Sequence, residues 1–172
     1  MPLMLNGTPQ LGDKENTLKQ YEGLNLYGHW KLTARHIKTG ELIVKEGDNL
    51  ICTVGKNLVG DMLIDTAGYD IGLTYQAIGT SNTAVTAADT HLNTETSRKA
   101  ITFKSRLVNV DTLTTFFAAS ECTYFIKEAG IFGHSTATAT TNTGIIFSHW
   151  LVSFDNSGGT YDITIDYTLT IG

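Results

Sequence analysis

At 172 residues the chain is long enough for one ordinary domain with a hydrophobic core, and short for two. Hydrophobic residues at 41% argue against disorder along the whole chain. Net charge is −5 and the basic residues are scattered, with no run longer than Arg98-Lys99, which argues against direct binding of DNA or RNA.

Charged residues make up only 17%, against roughly 25% in a typical soluble domain. Thr, Ser, Asn and Gly fill the deficit, a composition suited to strands and turns and to a surface that packs against neighbouring subunits. Met1-Pro2-Leu3-Met4-Leu5 lacks the basic start and the length of a secretory leader. No apolar run approaches the about 20 residues of a membrane span, so a soluble protein with no membrane association is expected.

Residues 1–27 read as an extended N-terminal arm, with turn sequences at Asn6-Gly7-Thr8-Pro9 and Leu11-Gly12-Asp13. A frayed terminus and an arm that orders on a neighbouring subunit are both open readings. In the second, Leu3, Leu5 and Leu11 are the anchors.

A single domain is expected over 28–172. Trp30, Leu32, Ala34 and His36 alternate with Lys31, Thr33 and Arg35, and Leu42-Ile43-Val44 returns after a turn at Lys38–Glu41, which predicts a hairpin. Ile51, Val54, Leu58 and Met62 fall at helical spacing, with Asn49 or Thr53 as the cap and Ala67-Gly68 as the end. Leu73–Ile78 reads as a strand, and Ser81–Ser97 as a polar connection with a short helical turn near Asp89–Leu92.

Further strands are predicted at Ile101–Leu107, Leu113–Ala119 and Cys122–Lys127. Ile145–Phe154 is apolar on both faces, the pattern of a strand covered on two sides. From Tyr161 to Ile171, apolar residues alternate with Asp and Thr without error. The Phe154–Thr160 turn is expected to pair this last strand with the one before it. The sum is an all-β antiparallel sandwich or jelly roll with one short helix. Trp30, Trp150, Tyr161, Ile163, Ile165 and Tyr167 are assigned to the core.

Catalytic and metal-binding patterns are lacking: the sequence has no G-x-S-x-G, P-loop, G-x-G-x-x-G or HExxH. His29, His36, His91, His134 and His149 have no ligand spacing, and no cofactor is expected. Glu121 and Glu128 flank one strand, and Asp162 and Asp166 share a face of another; the latter are expected to face solvent or a neighbour. Asp155–Gly159 reads as a plain turn rather than a calcium loop. Cys52 and Cys122 form no CxxC pair and are expected as two buried free thiols. Ile131-Phe132, bracketed by Gly130 and Gly133, is open to two readings: a bend with Phe132 in the core, or an apolar corner at a subunit interface.

The order of motifs carries a resemblance. The chain runs Asn49-Leu50-Ile51, Gly55-Lys56-Asn57-Leu58-Val59, then Ala77-Ile78-Gly79-Thr80-Ser81-Asn82-Thr83-Ala84. Asp89–Glu95, Arg98–Ile101, Phe117–Glu121 and Ile126–Gly133 follow, before the threonine-alternating final strand. From about Leu42 to Gly172 this succession resembles tailed-bacteriophage virion structural β-domains: capsid decoration (cement) proteins and modules associated with tail or head fibres. The resemblance implies a non-enzymatic viral protein, made in the bacterial host's cytoplasm, that sits as a homotrimer on the outer capsid surface of the virion and clamps the major capsid protein. The alternative it implies is a receptor-binding module that takes cell-surface glycan. Within the resembling stretch, Asp89 is expected to cap a turn and Glu95 to pair with Arg98, fixing a loop that positions the next strand.

Overall fold

The computed structural model describes residues 24–64 and 72–172. Two antiparallel five-stranded sheets face each other, with one helix at an end. The N-terminal arm, with Leu3, Leu5 and Leu11, lies almost wholly outside the described residues, and the first strand already includes Leu26 and Tyr27 of the expected arm.

Strand β1 (Leu26–His36) forms the predicted hairpin with β2 (Leu42–Asp48). The last strand, β10 (Tyr161–Ile171), follows its alternation closely: Ile163, Ile165, Tyr167 and Leu169 are buried, and the Thr and Asp residues point outward. The expected pairing with the preceding strand is wrong, however. β10 lies between β1 and β7 (Val110–Phe117), with Trp30 opposite Tyr167 and Leu32 opposite Ile165. The preceding strand, β9 (Ile145–Asp155), belongs to the other sheet and pairs with β8 (Phe125–Gly133). Residues 156–160 therefore carry the chain across the core between sheets. Buried Asn156 braces that crossing, donating to the carbonyls of Cys122 and Tyr161 and accepting from the amides of Thr160 and Tyr161.

The first sheet runs β2-β1-β10-β7-β6, and the second β3-β9-β8-β4-β5. β3 is the short piece Leu50–Ile51, β4 is Leu73–Gly79, β5 is Glu95–Ala100 and β6 is Phe103–Leu107. The polar stretch read as a connection up to Ser97 thus already contains the start of β5. Its side chains are too polar for the apolar alternation that reveals a half-buried strand. β6 departs from expectation differently: Phe103 and Leu107 are 58% and 77% exposed, because this is the sheet's edge and none of the described residues covers them.

The core between the sheets centres on aromatics. Trp30 and Trp150 stack at 6.0 Å, and Tyr167 packs on Trp30 at 4.8 Å. Trp30 Nε1 donates to Ser148 Oγ at 3.0 Å, so the buried indole keeps a hydrogen bond. Tyr161 is only partly buried, at the margin of this core. Cys52 and Cys122 are both buried and free.

Helix α1 (Thr53–Leu63) is close to its predicted span. Its N-cap is Cys52, with no side-chain cap, rather than Asn49 or Thr53; Asn49 is turned to Ser148 and Tyr167. The helix stops at Leu63, and Ala67-Gly68 lies outside the described residues. Gly55 and Leu58 are its buried residues, and Gly55 lets the helix backbone lie directly on that of Phe147.

The second sheet is buried on both faces over residues 145–150 of β9, but not to the end of the run whose two-sided apolarity predicts it: Leu151 and Ser153 are exposed. Its outer face carries Ala77, Phe132 and Ile146, which meet Leu92 and Cys52 in a second apolar cluster. The segment 80–94 lies over that face as a third layer. It contains a turn at Ala87–Ala88 and no helix, contrary to the expected helical turn over 89–92.

Candidate functional site

His149 is the one titratable residue of the apolar β9 run whose side chain enters the cleft between the second sheet and the 80–94 layer. Its Nδ1 lies 2.7 Å from Asp89 Oδ2, and its Nε2 lies 3.0 Å from Glu128 Oε2. His149 and Glu128 have no exposed side-chain surface, and Asp89 has little. Hydrogen bonding both carboxylates at once requires both ring N–H groups, so the geometry selects the imidazolium.

Local structure explains each position. Asp89 accepts from the Thr86 amide and hydroxyl, closing the turn as the sequence predicts. Glu128 lies on β8 next to a register irregularity between Ile126 and Glu128. It accepts from the amides of Ser81, Asn93 and Thr94 at 3.3, 2.9 and 2.7 Å. One carboxylate therefore holds both ends of the 80–94 layer. Gly79 makes room for it, since a Cβ there would stand 2.6 Å from Glu128 Oε1.

Burial is the largest single influence on each group and opposes the charged form, but the bonds outweigh it. Glu128 is held below the ordinary glutamate value by His149 and the three amides. Asp89 is lowered by Thr86 and His149. His149 is raised by Glu128 and Asp89.

A second buried pair lies beside the first. Arg98 Nε meets Glu95 Oε1 at 2.6 Å, and both side chains are fully buried, so the expected i,i+3 pair is present. Arg98 also donates to the Thr143 carbonyl at 2.6 Å and lies 4.0 Å over the Phe132 ring. Glu95 accepts from the Asn142 amide. This pair ties the 134–144 loop down as the first group ties 80–94.

The other candidates disperse. Glu121 binds Lys99 at the surface, remote in role from buried Glu128. Asp162 and Asp166 lie on the outer face of the first sheet, bonded to the Ala119 amide and the Thr114 hydroxyl. His29 bonds Asp48, while His36 accepts from the amides of Lys38 and Thr39, and seven residues apart on β1 they point to opposite faces. Residues 155–159 form a turn, with Asp155 accepting from the Ser157 amide. Among the described residues no cluster of three or more His, Cys, Asp or Glu side chains is placed to hold a metal ion.

Ile131 and Phe132 are both fully buried, Ile131 in the core between the sheets and Phe132 in the outer cluster. Neither side chain is presented to a neighbour, so the corner reading of this pair gives way to the core one. The apolar surface lies elsewhere. A cavity of about 770 Å³ opens at the α1 end of the sandwich, lined by Leu58, Met62, Leu73, Leu113, Leu169 and Ile171 among others. Lys104, Ser105 and Arg106 of edge strand β6 form part of its wall. Exposed Leu107 and Val108 continue from that wall.

Sequence reasoning missed the Asp89–His149–Glu128 group and the cavity. A signal for the first was available: a histidine inside a run buried on both faces needs polar partners. The cavity had none, because its residues come from seven separate elements. Comparison with family models, with curated proteins and with solved structures finds no match for this chain.

Proposed function

We propose that this chain is a structural component of a tailed-phage particle: a decoration protein that seats on the outer surface of the head shell, binds the major capsid protein and stabilises the shell. The observation that carries this reading is the apolar end of the sandwich. There the cavity between α1 and the first sheet runs into β6, which among the described residues is an unpaired edge strand with Phe103 and Leu107 exposed. A cavity beside a free strand edge suits another protein chain, which can add backbone hydrogen bonds to the edge and bury side chains in the cavity. Lys104 turns inward to the Leu73 carbonyl, a feature that discourages indiscriminate edge pairing.

The low charge and the order of motifs support placing that partner on a phage particle. Several copies, as in the homotrimer that the resemblance implies, would add their modest contacts into firm attachment. The buried ionic groups serve this role as internal fasteners.

The test is co-sedimentation of the purified protein with phage heads that lack it, comparing wild type with the double variant Phe103→Asp, Leu107→Asp. Both positions are exposed, so the variant should melt as wild type does. Binding to heads that falls at least tenfold in the variant supports the reading. Equal binding by both, or wild-type binding to host cells or polysaccharide but not to heads, overturns it; the second outcome favours adsorption to a cell-surface glycan.

A further inference from the structure

We propose that the Thr80–Thr94 segment is a pH-released cover, latched through His149 by Asp89 and Glu128, and that its release uncovers the Cys52 thiol. The two carboxylates sit on opposite sides of the latch. Glu128 belongs to the sheet, whereas Asp89 belongs to the cover. They are not equally dependent on the imidazole: Glu128 keeps three backbone donors without it, and Asp89 keeps only the donors of its own turn. When His149 loses a proton, the remaining one stays on Nε2 toward Glu128, the carboxylate with no exposed surface. The Nδ1 lone pair then faces Asp89 Oδ2 at 2.7 Å, and attraction becomes repulsion. The cover therefore loosens first at its Thr86–Asp89 end.

Cys52 lies under that end. The Thr53 amide donates to the Ala87 carbonyl at 2.8 Å, so the turn that Asp89 closes is attached to the residue next to the thiol. Cys52 shares the outer apolar cluster with Leu92 of the cover. In the closed state burial, with Asp89 nearby, pushes the thiol up to about 11, so it is unreactive at neutral pH.

Other charged groups near β9 are engaged elsewhere. Glu95 and Arg98 pair with each other, and His91 is turned to the Thr90 hydroxyl. α1 presents Gly55 and Leu58 to the sheet, neither of them charged. Of the charged residues of β2, in the opposite sheet, Glu46 and Asp48 pair with Lys31 and His29, and Lys45 lies exposed. Asp89 and Glu128 are the titratable groups that face His149, and the Cys52 thiol lies near Asp89.

The experiment is the rate of Cys52 alkylation by iodoacetamide from pH 6 to 8.5 in the Cys122→Ser variant. Each rate is divided by that of the urea-unfolded chain at the same pH; over this range the thiolate fractions of the buried and the unfolded thiol rise together to within about twofold, so a larger change reports opening. If that variant does not fold, peptide mapping of the wild type by mass spectrometry separates the two thiols. The corrected rate should rise at least tenfold as His149, followed by NMR, loses its proton. In Asp89→Asn the rate should be high already at pH 6 and vary little. A corrected rate that stays flat in wild type overturns the proposal. So does a rise that coincides with loss of the whole fold by circular dichroism.

Discussion

Glu128 has no solvent exposure and still carries its charge, because four donors converge on its two oxygens. The same bonds make the fold sensitive to pH on two sides. His149 is raised above its ordinary 6.5, so its contribution to stability is complete below that value and is lost as pH rises through the folded-state value. Asp89 and Glu128 are held below 3.8 and 4.5, so theirs is complete above those values and is lost as pH falls through the depressed ones. Urea midpoints across pH should therefore form a plateau between about pH 5 and 6.5, falling on either side. In His149→Gln the alkaline fall should disappear. An alkaline fall that persists in the variant would assign it to another group. At this scale the sequence was legible for Asp89 and Arg98, whose partners Thr86 and Glu95 lie three residues away. For His149 it held only the hint of a histidine in an apolar run, and it did not identify Glu128 as the partner, since the two are joined by the pairing of β8 with β9.

Individual elements were legible where one physical requirement dominates. β10 must bury one face and wet the other, and its alternation reports that directly. Which strand lies beside it is a separate matter. β9 and β10 both contribute to the same core, so their apolar patterns are compatible with pairing or with facing across the interior, and the chain takes the second course. Helix α1 shows how context reverses a local rule. Replacing glycine by alanine within a helix ordinarily stabilises by about 0.5–1 kcal/mol. Gly60 has open space around it, so Gly60→Ala should raise stability by that amount. At Gly55 a new Cβ would sit 2.6 Å from the Phe147 Cα, and the helix would have to move off the sheet. Gly55→Ala should cost about 1–3 kcal/mol by overpacking. Paired urea titrations check both, and equal effects in the two variants would mean that α1 does not lie on β9 as described.

The whole molecule is a sandwich with a third, irregular layer fastened to one sheet by two buried ionic groups. That layer explains why 145–150 is buried on both faces, and why so polar a stretch as 80–94 can cover a hydrophobic cluster. Fastening of this kind is strong only while both partners are present. Arg98→Ala leaves the Glu95 carboxylate buried without its cation and should cost about 3–5 kcal/mol. Lys99→Ala, which breaks a pair at the surface, should cost under about 1 kcal/mol. Similar losses in the two variants, measured by chemical denaturation, would contradict the burial of the Arg98 pair. At this scale the all-β class and the two-sheet architecture could be anticipated from the count of strands. The third layer and the apolar end could not, since both arise from residues far apart in the chain.

The central claim is that this chain is an assembly module on a phage head, and its most direct test is electron microscopy of intact particles labelled with an antibody against it. The account predicts label distributed over the head surface. Label confined to the tail or fibre tips, or particles that carry none, would contradict it.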